Sequence, residues 1–327
     1  QDGWQDIVTG NRANHVSVLL GNGDGTFREA PWNTGIARDA SWVDVGEFTG
    51  DSYPDLVVVT QVEDTIVAVM RGEGDGTFST IGVYRVHDNP RGVVLRDLDL
   101  DGQLDMAIAF TGNSNELSGV VVGLGLGGGV FEFENYYKET WAATGIDVGD
   151  FDQDGWPDVA VPGFSDVTVM AGNGDGTFSV AASYDVGYYT RSVTHSDFDG
   201  NGRVDLAAAS LGGITILKGL ANGTFEASLT HEAGKYITDV DVADFNGDDL
   251  EDVLVTDWGR SEVQVVLGQG DGTFVTKGVY SVRPPTPYAR SGAGASVTGD
   301  FDEDGVIDVV SITGGILLGN GDGVCPS

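Results

Sequence analysis

Short apolar runs of four to seven residues alternate along the chain with stretches of Asp, Asn and Gly. Runs such as "DVAVPG", "VTVMAG", "VQVVLG" and "DVLVTD" have a period near two and are too short for stable helices, so they predict strands. The polar stretches between them are of two kinds. One is an acid loop: "EFTGDSYPD" (47–55), "DLDLDGQLD" (97–105), "DFDQDGWPD" (150–158), "DFDGNGRVD" (197–205), "DFNGDDLED" (244–252) and "DFDEDGVID" (300–308), with the last five positions of a seventh in the opening "DGWQD". The other is a glycine turn about twenty residues later: "GNGDGTF" (21–27), "GEGDGTF" (72–78), "GLGGGVF" (125–131), "GNGDGTF" (172–178), "GLANGTF" (219–225), "GQGDGTF" (268–274) and "GNGDGV" (319–324). The two kinds alternate strictly, seven of each, with a period of about fifty residues.

Four strands fit in each unit. The first ends at the acid loop, the second leaves it, the third runs into the glycine turn, and the fourth follows the Phe, as in "TFSVAASYDV". A four-stranded antiparallel unit cannot bury both faces alone, so neighbouring units must stack. The expectation is an all-β, seven-bladed β-propeller. An open solenoid is the rival arrangement, disfavoured because neither end carries a distinct polar cap and seven units suit a closed ring. Phe27, Phe78, Phe131, Phe178, Phe225 and Phe274 become the expected inter-blade core, each contributing about 1.5–3 kcal/mol on burial. Residues 1–327 read as one domain with incomplete end blades. The first unit lacks a strand before Asp2 and the fourth strand of the last would begin at Val324, which reads as a chain cut from a longer one.

Charge narrows the partners. Only 16 Lys and Arg face 51 Asp and Glu, a formal net charge of −35, which repels nucleic acid and anionic membrane surfaces while attracting cations. No apolar run approaches the roughly 20 residues that span a bilayer, so direct membrane insertion is not expected. The lone Cys325 excludes an internal disulfide framework. The 51 glycines, without a three-residue period, imply many tight turns.

In "DFDQDGWPD" carboxylates stand at positions one, three, five and nine, with Gly155 at position six. Carboxylates this close destabilise one another unless a cation joins them. Oxygen-only ligands, alternate spacing, a turn glycine and a backbone carbonyl at position seven suit Ca²⁺ better than the rigid octahedron of Mg²⁺. The expected ligand sets are Asp97, Asp99, Asp101 and Asp105; Asp150, Asp152, Asp154 and Asp158; and Asp300, Asp302, Asp304 and Asp308. Two further sets each include one neutral oxygen ligand: Asp197, Asp199, Asn201 and Asp205, and Asp244, Asn246, Asp248 and Asp252. Asp249 replaces the position-six glycine in the latter, and a distorted turn is expected there. The loop from Glu47, with Thr49 and Ser52 in place of a carboxylate and glycine, is expected to bind weakly or not at all. A bare Asx turn accounts for any one loop without metal, but not for five near-complete copies. Calcium would serve mainly as a staple. The glycine turns lack the Lys-Ser/Thr pair of a phosphate loop and read as hairpin connectors. Trp4 and Trp156, at position seven of their loops, are expected to cover the metal sites.

Through "DFNGDDLEDVLV" (244–255), "DFDQDGWPDVAV" (150–161) and "VLLGNGDGTF" (18–27), the sequence resembles the FG-GAP/VCBS repeat family over essentially its whole length. The resemblance implies a seven-bladed propeller like the head of integrin alpha subunits, with calcium in the loops between first and second strands and an extracellular or cell-surface setting. Family members include adhesion heads, carbohydrate-binding propellers and propeller domains attached to enzymes. A shared fold does not choose the ligand.

Strand order supplies a separate argument about recognition. Both repeated motifs fall on one rim, so the unrepeated loops, where specificity usually resides, fall on the other. That second rim carries His87, Arg91, Trp141, Tyr188, Tyr189, Arg191, Tyr236, Trp258, Tyr288 and Arg290. Aromatic platforms among scarce cations suit a glycan or a glycosylated surface protein. The leading expectation is a calcium-stabilised binding or adhesion propeller. Two alternatives stand beside it: a structural propeller of a larger secreted protein, and a polysaccharide lyase using Tyr189 or His87 for proton transfer and Arg191 or Arg91 to steady a carboxylate. The sequence leans against catalysis, having no GxSxG, HExxH or His-Cys zinc pattern and only four histidines.

Overall fold

The computed structural model describes residues 2–11, 15–30, 33–34, 40–60, 66–86, 89–112, 118–140, 143–282, 295–311 and 315–323. These form seven antiparallel sheets in chain order, the blades of a propeller. Blades two to six each run inner, second, third and outer strand, as in blade five: Ser192–Ser196, Asp205–Ser210, Gly213–Gly219 and Phe225–Glu232. The end blades are shorter. Blade one begins at what is the second strand elsewhere, Ile7–Asn11, and its outer strand is split into Phe27–Glu29 and Asn33–Thr34. Blade seven has three strands, Ser296–Gly299, Asp308–Ser311 and Ile316–Leu317.

Burial follows from stacking. Second strands are sandwiched by both neighbouring blades, so Asp55–Thr60, Asp105–Phe110, Asp205–Ser210 and Asp252–Asp257 are buried at every position. This is why they read as continuous apolar runs, whereas outer strands such as Phe178–Asp185 alternate toward solvent. Clusters of aliphatic side chains between successive blades form the core.

The Phe of each glycine turn contributes to these seams, although Phe27 and Phe78 are only half-buried. Its partner was not anticipated. Phe131, Phe225 and Phe274 meet Phe48, Phe151 and Phe198, the second residues of the preceding blades' acid loops, edge-on at 5.6, 6.5 and 5.6 Å. A tyrosine on the preceding outer strand adds a hydrogen bond: the N–H groups of Phe131, Phe178 and Phe225 donate to the hydroxyls of Tyr84, Tyr137 and Tyr184 at 3.0, 2.9 and 3.1 Å.

Blade one packs on blade seven in the same way. Phe27 meets Phe301 at 5.6 Å, and Gly25 N–H donates to the Phe301 carbonyl at 3.1 Å. The ring is therefore closed. Between the second strand of blade one and the inner strands of blades two and seven lies a cavity of about 750 Å³, lined in part by Ile7, Val8, Val43, Val45 and Val297.

Candidate functional site

The acid loops share one backbone. In six of them the residues at positions four and six are left-handed, including the non-glycine residues Leu100, Gln153 and Glu303 at position four, with φ of 60°, 61° and 59°. Position six places its N–H on the carboxylate of position one: Gly102 on Asp97, Gly155 on Asp150, Gly202 on Asp197 and Gly305 on Asp300, at 2.9, 3.0, 2.7 and 3.0 Å. Asp249 makes the same bond to Asp244 at 2.9 Å with φ of 63°. The expected distortion there is thus corrected: aspartate, one of the residues that tolerate the left-handed region, keeps the turn. Position seven closes the loop on position five, as when Trp156 N–H donates to Asp154 at 2.9 Å and Leu250 N–H to Asp248 at 2.9 Å.

This folding gathers the carboxylates. In four clusters the oxygens lie within 4.8 Å of one another: Asp97, Asp99 and Asp101; Asp150, Asp152 and Asp158; Asp197, Asp199 and Asp205; Asp300, Asp302 and Asp304. Each could hold a metal ion. The donor set fits a hard cation, because Asp150 Oδ1, Asp199 Oδ1 and Asn246 Oδ1 are shielded from solvent yet accept no hydrogen bond. Asp154 stands outside its loop's cluster and is exposed. In the Glu47 loop, Thr49 Oγ1 instead donates to Asp55 at 3.3 Å.

Position nine has a second role. Asp158 is buried, and its Oδ2 accepts the N–H groups of Phe151 and Asp152 at 2.8 and 3.2 Å while Oδ1 accepts Gly172 N–H at 2.8 Å. Asp55, Asp105, Asp205, Asp252 and Asp308 make the same bridge from the acid loop to the glycine that ends the third strand. Burial pushes Asp105, Asp158 and Asp252 up to about 6, against the pull of these N–H groups. On the same rim, Trp4 and Trp156 lie against Gly23 and Gly174 of their own glycine turns.

The opposite rim brings together four of the expected recognition residues. Tyr189, Arg191, Tyr236 and Trp258 line a cavity of about 680 Å³ with Leu211, Ile237 and Thr238, at the junction of blades five and six. Tyr189 also leans on Phe164 at 5.0 Å, and Tyr188 meets Phe164 at 6.0 Å without lining the cavity. Lys235 lies over the Tyr236 ring at 5.3 Å from its centre. Arg91 lies outside the cavity and is partly buried; burial, with the field of Arg191, lowers its pKa. Leu211, a cavity wall, and Phe164, which props Tyr189 from outside the cavity, are not marked in the sequence, because nothing in a loop residue's identity shows what it packs against. His87, Trp141, Tyr288, Arg290 and Cys325 lie outside the described residues.

A closed seven-bladed ring with an acid loop entering each second strand is a repeat propeller, the architecture expected from the integrin-head resemblance. The chain belongs to the FG-GAP-like repeat family, whose model matches residues 1–58, 47–108, 97–161, 150–196, 197–255 and 244–311. Comparison with curated protein sequences gave no match. Among solved structures, an Agrocybe aegerita lectin specific for non-reducing terminal N-acetylglucosamine is similar, with 18% identity, TM-score 0.62, and 98% of this chain and 88% of that one covered. A putative 6-phosphogluconolactonase from Bacteroides uniformis has 11% identity and TM-score 0.66, covering 97% and 95%. The periplasmic gluconolactonase of Pseudomonas aeruginosa has 14% identity and TM-score 0.61, covering 84% and 82%. At these identities the likeness is one of fold. It corrects the leaning against catalysis: propellers of this shape carry lactonase names, so missing hydrolase and zinc motifs do not count against an enzyme. Among the described residues no helix is long and apolar enough to cross a membrane, which says nothing of a β-barrel.

Proposed function

We propose that residues 1–327 form a calcium-stapled, extracellular propeller domain that binds a sugar in the cavity between blades five and six. The observation that carries this reading is the convergence of Tyr189, Tyr236 and Trp258 with Arg191 around about 680 Å³, a size suited to a small ligand. Aromatic faces offer a sugar ring flat apolar contact, and Arg191 offers a paired donor to a carboxylate. A free glycan or the glycan of a surface protein would present such a group.

Calcium would be held by the loops beginning at Asp97, Asp150, Asp197, Asp244 and Asp300, and would supply positive charge that lets crowded carboxylates stay ionised. The orphaned oxygens of Asp150, Asp199 and Asn246 support this assignment. Modules of modest calcium affinity fill where calcium is near millimolar, which supports an extracellular setting.

A sugar-turnover reading stands beside simple binding because fold neighbours with lactonase names accompany the lectin. A glycan array should therefore be run with assays for lactone opening and unsaturated-sugar release. The array should return a sugar whose binding fails in Trp258→Ala and Tyr189→Ala and persists in Trp156→Ala. Loss in Trp156→Ala alone would put the site on the acid-loop rim and overturn the assignment.

A further inference from the structure

One residue precedes the glycine that ends each third strand: Leu20, Arg71, Leu124, Ala171, Lys218, Leu267 and Leu318. Leu20, Leu124, Leu267 and Leu318 lie against the glycine turn of the next blade, where Gly76, Gly176, Gly323 and Gly25 leave room for them. In blade five the position is Lys218. Its ammonium lies 3.2 Å from Asp199 Oδ2 in the acid loop of its own blade and donates to the Asp271 carbonyl, in the turn of blade six, at 3.0 Å.

The acid loop it reaches is depleted in charge. Asn201 replaces the carboxylate at position five, and Arg203 stands at position seven with its Nε donating to the Gly219 carbonyl at 2.8 Å. The loops beginning at Asp97, Asp150, Asp244 and Asp300 have no basic residue at either place. Blade two has Arg71 at the Lys218 position, but its guanidinium pairs with Glu73 of the glycine turn at 3.1 Å; the acid loop of that blade has Glu47, Thr49 and Ser52 where the loops at Asp97, Asp150 and Asp300 have Asp, Asp and Gly. Both blades with a basic residue here have a weakened acid loop, and the Asp244 loop, weakened by Asn246, has the apolar Leu267 instead, so the loop at Asp197 is set apart by the contact Lys218 makes with it. Lys218 and Asp199 are partly buried, so their attraction is screened less than that of a fully exposed pair.

We propose that Lys218 is a resident counter-cation that joins blades five and six without metal and makes the 197–205 loop the low-affinity calcium site of the ring. The ammonium holds a carboxylate that an incoming ion needs and repels that ion. This rests on the calcium reading above. At Asp97, Asp150, Asp244 and Asp300 calcium ties loops that an apolar leucine or alanine leaves uncompensated; in blade five the chain supplies its own charge.

The test compares wild type, Lys218→Leu and Lys218→Arg by calcium calorimetry on chelator-treated protein and by thermal unfolding in chelator and in calcium. Wild type should show one site about tenfold or more weaker than the others, and Lys218→Leu should tighten that site by about tenfold or more. In chelator Lys218→Leu should melt below wild type, and millimolar calcium should close the gap. Lys218→Arg should behave as wild type, separating charge from packing. Calcium binding at several loops with the weak site and the chelator midpoint unchanged in Lys218→Leu would overturn the proposal. Absence of calcium binding at every loop would overturn the calcium reading instead, and an unchanged midpoint in chelator would then sink the counter-cation as well.

Discussion

The N–H of Gly172 donates to Asp158 Oδ1 at 2.8 Å, and a Cβ on Gly172 would run into the carbonyl oxygen of Pro157. The two repeated motifs are thus halves of one contact: the last carboxylate of the acid loop grips the glycine that opens the glycine turn. Asp158→Ala removes an acceptor of three backbone N–H groups inside the fold. We expect a loss of about 3–5 kcal/mol in denaturant unfolding, with or without calcium. Asp152→Ala, in the same carboxylate cluster but at an exposed position, should cost stability chiefly when calcium is present.

Gly25 separates ring closure from backbone strain. Gly25 and Gly50 have φ of 73° and 84°, but a Cβ on Gly25 would meet Leu318 at 2.9 Å, whereas one on Gly50 has nothing within 4 Å. Gly50→Ala should cost about 1–2 kcal/mol from the left-handed backbone alone. Gly25→Ala should cost up to about 1 kcal/mol more, as the partly exposed Leu318 side chain shifts at the seam of blades seven and one, again read from denaturant unfolding.

Metal-free protein should lose stability as pH rises. Burial pushes Asp105, Asp158 and Asp252 up to about 6 and Asp239 up to about 7; Asp239 sits between Ser192 Oγ at 3.0 Å and Ser296 N at 3.3 Å. An unfolded aspartate titrates near 3.9, so the protonated form is favoured in the fold. The resulting stability is full below about pH 4 and is lost as pH passes through about 6 to 7. Thermal midpoints in chelator should fall across that window. In calcium the ionised loops are favoured, and the fall should flatten or reverse. Asp239→Asn should remove only the upper part of the change.

At the rim, Trp258→Ala or Tyr189→Ala should weaken sugar binding by about tenfold, near 1.4 kcal/mol, without moving the melting midpoint by more than a degree or two. If the ligand is an acidic sugar, Arg191→Ala should cost at least as much, and its effect should shrink in high salt. Titrations of each variant at low and high salt supply the check.

The sequence makes the ring legible because seven copies of each motif repeat a single packing problem. The position-one and position-three carboxylates are legible for the same reason. Contacts between blades are less so. The pairing of Phe151 with Phe225 spans more than seventy residues and appears only after stacking, and the Tyr184 hydroxyl finds Phe225 N–H the same way. Leu100, Gln153 and Glu303 give no hint of a left-handed backbone, since side chains at that position are imposed on by the loop rather than chosen for the turn. Tyr189, Arg191, Tyr236 and Trp258 share a rim by strand order, but their meeting in one cavity depends on how blades five and six lean together.

The most direct test of the central claim is a calcium titration of chelator-stripped protein, counted by calorimetry and paired with thermal unfolding in chelator, calcium and equal magnesium. The account predicts four tight sites in the loops at Asp97, Asp150, Asp244 and Asp300, a weaker fifth at Asp197, none at Glu47, and a midpoint raised by calcium well beyond magnesium. No bound calcium and identical midpoints in all three conditions would contradict it.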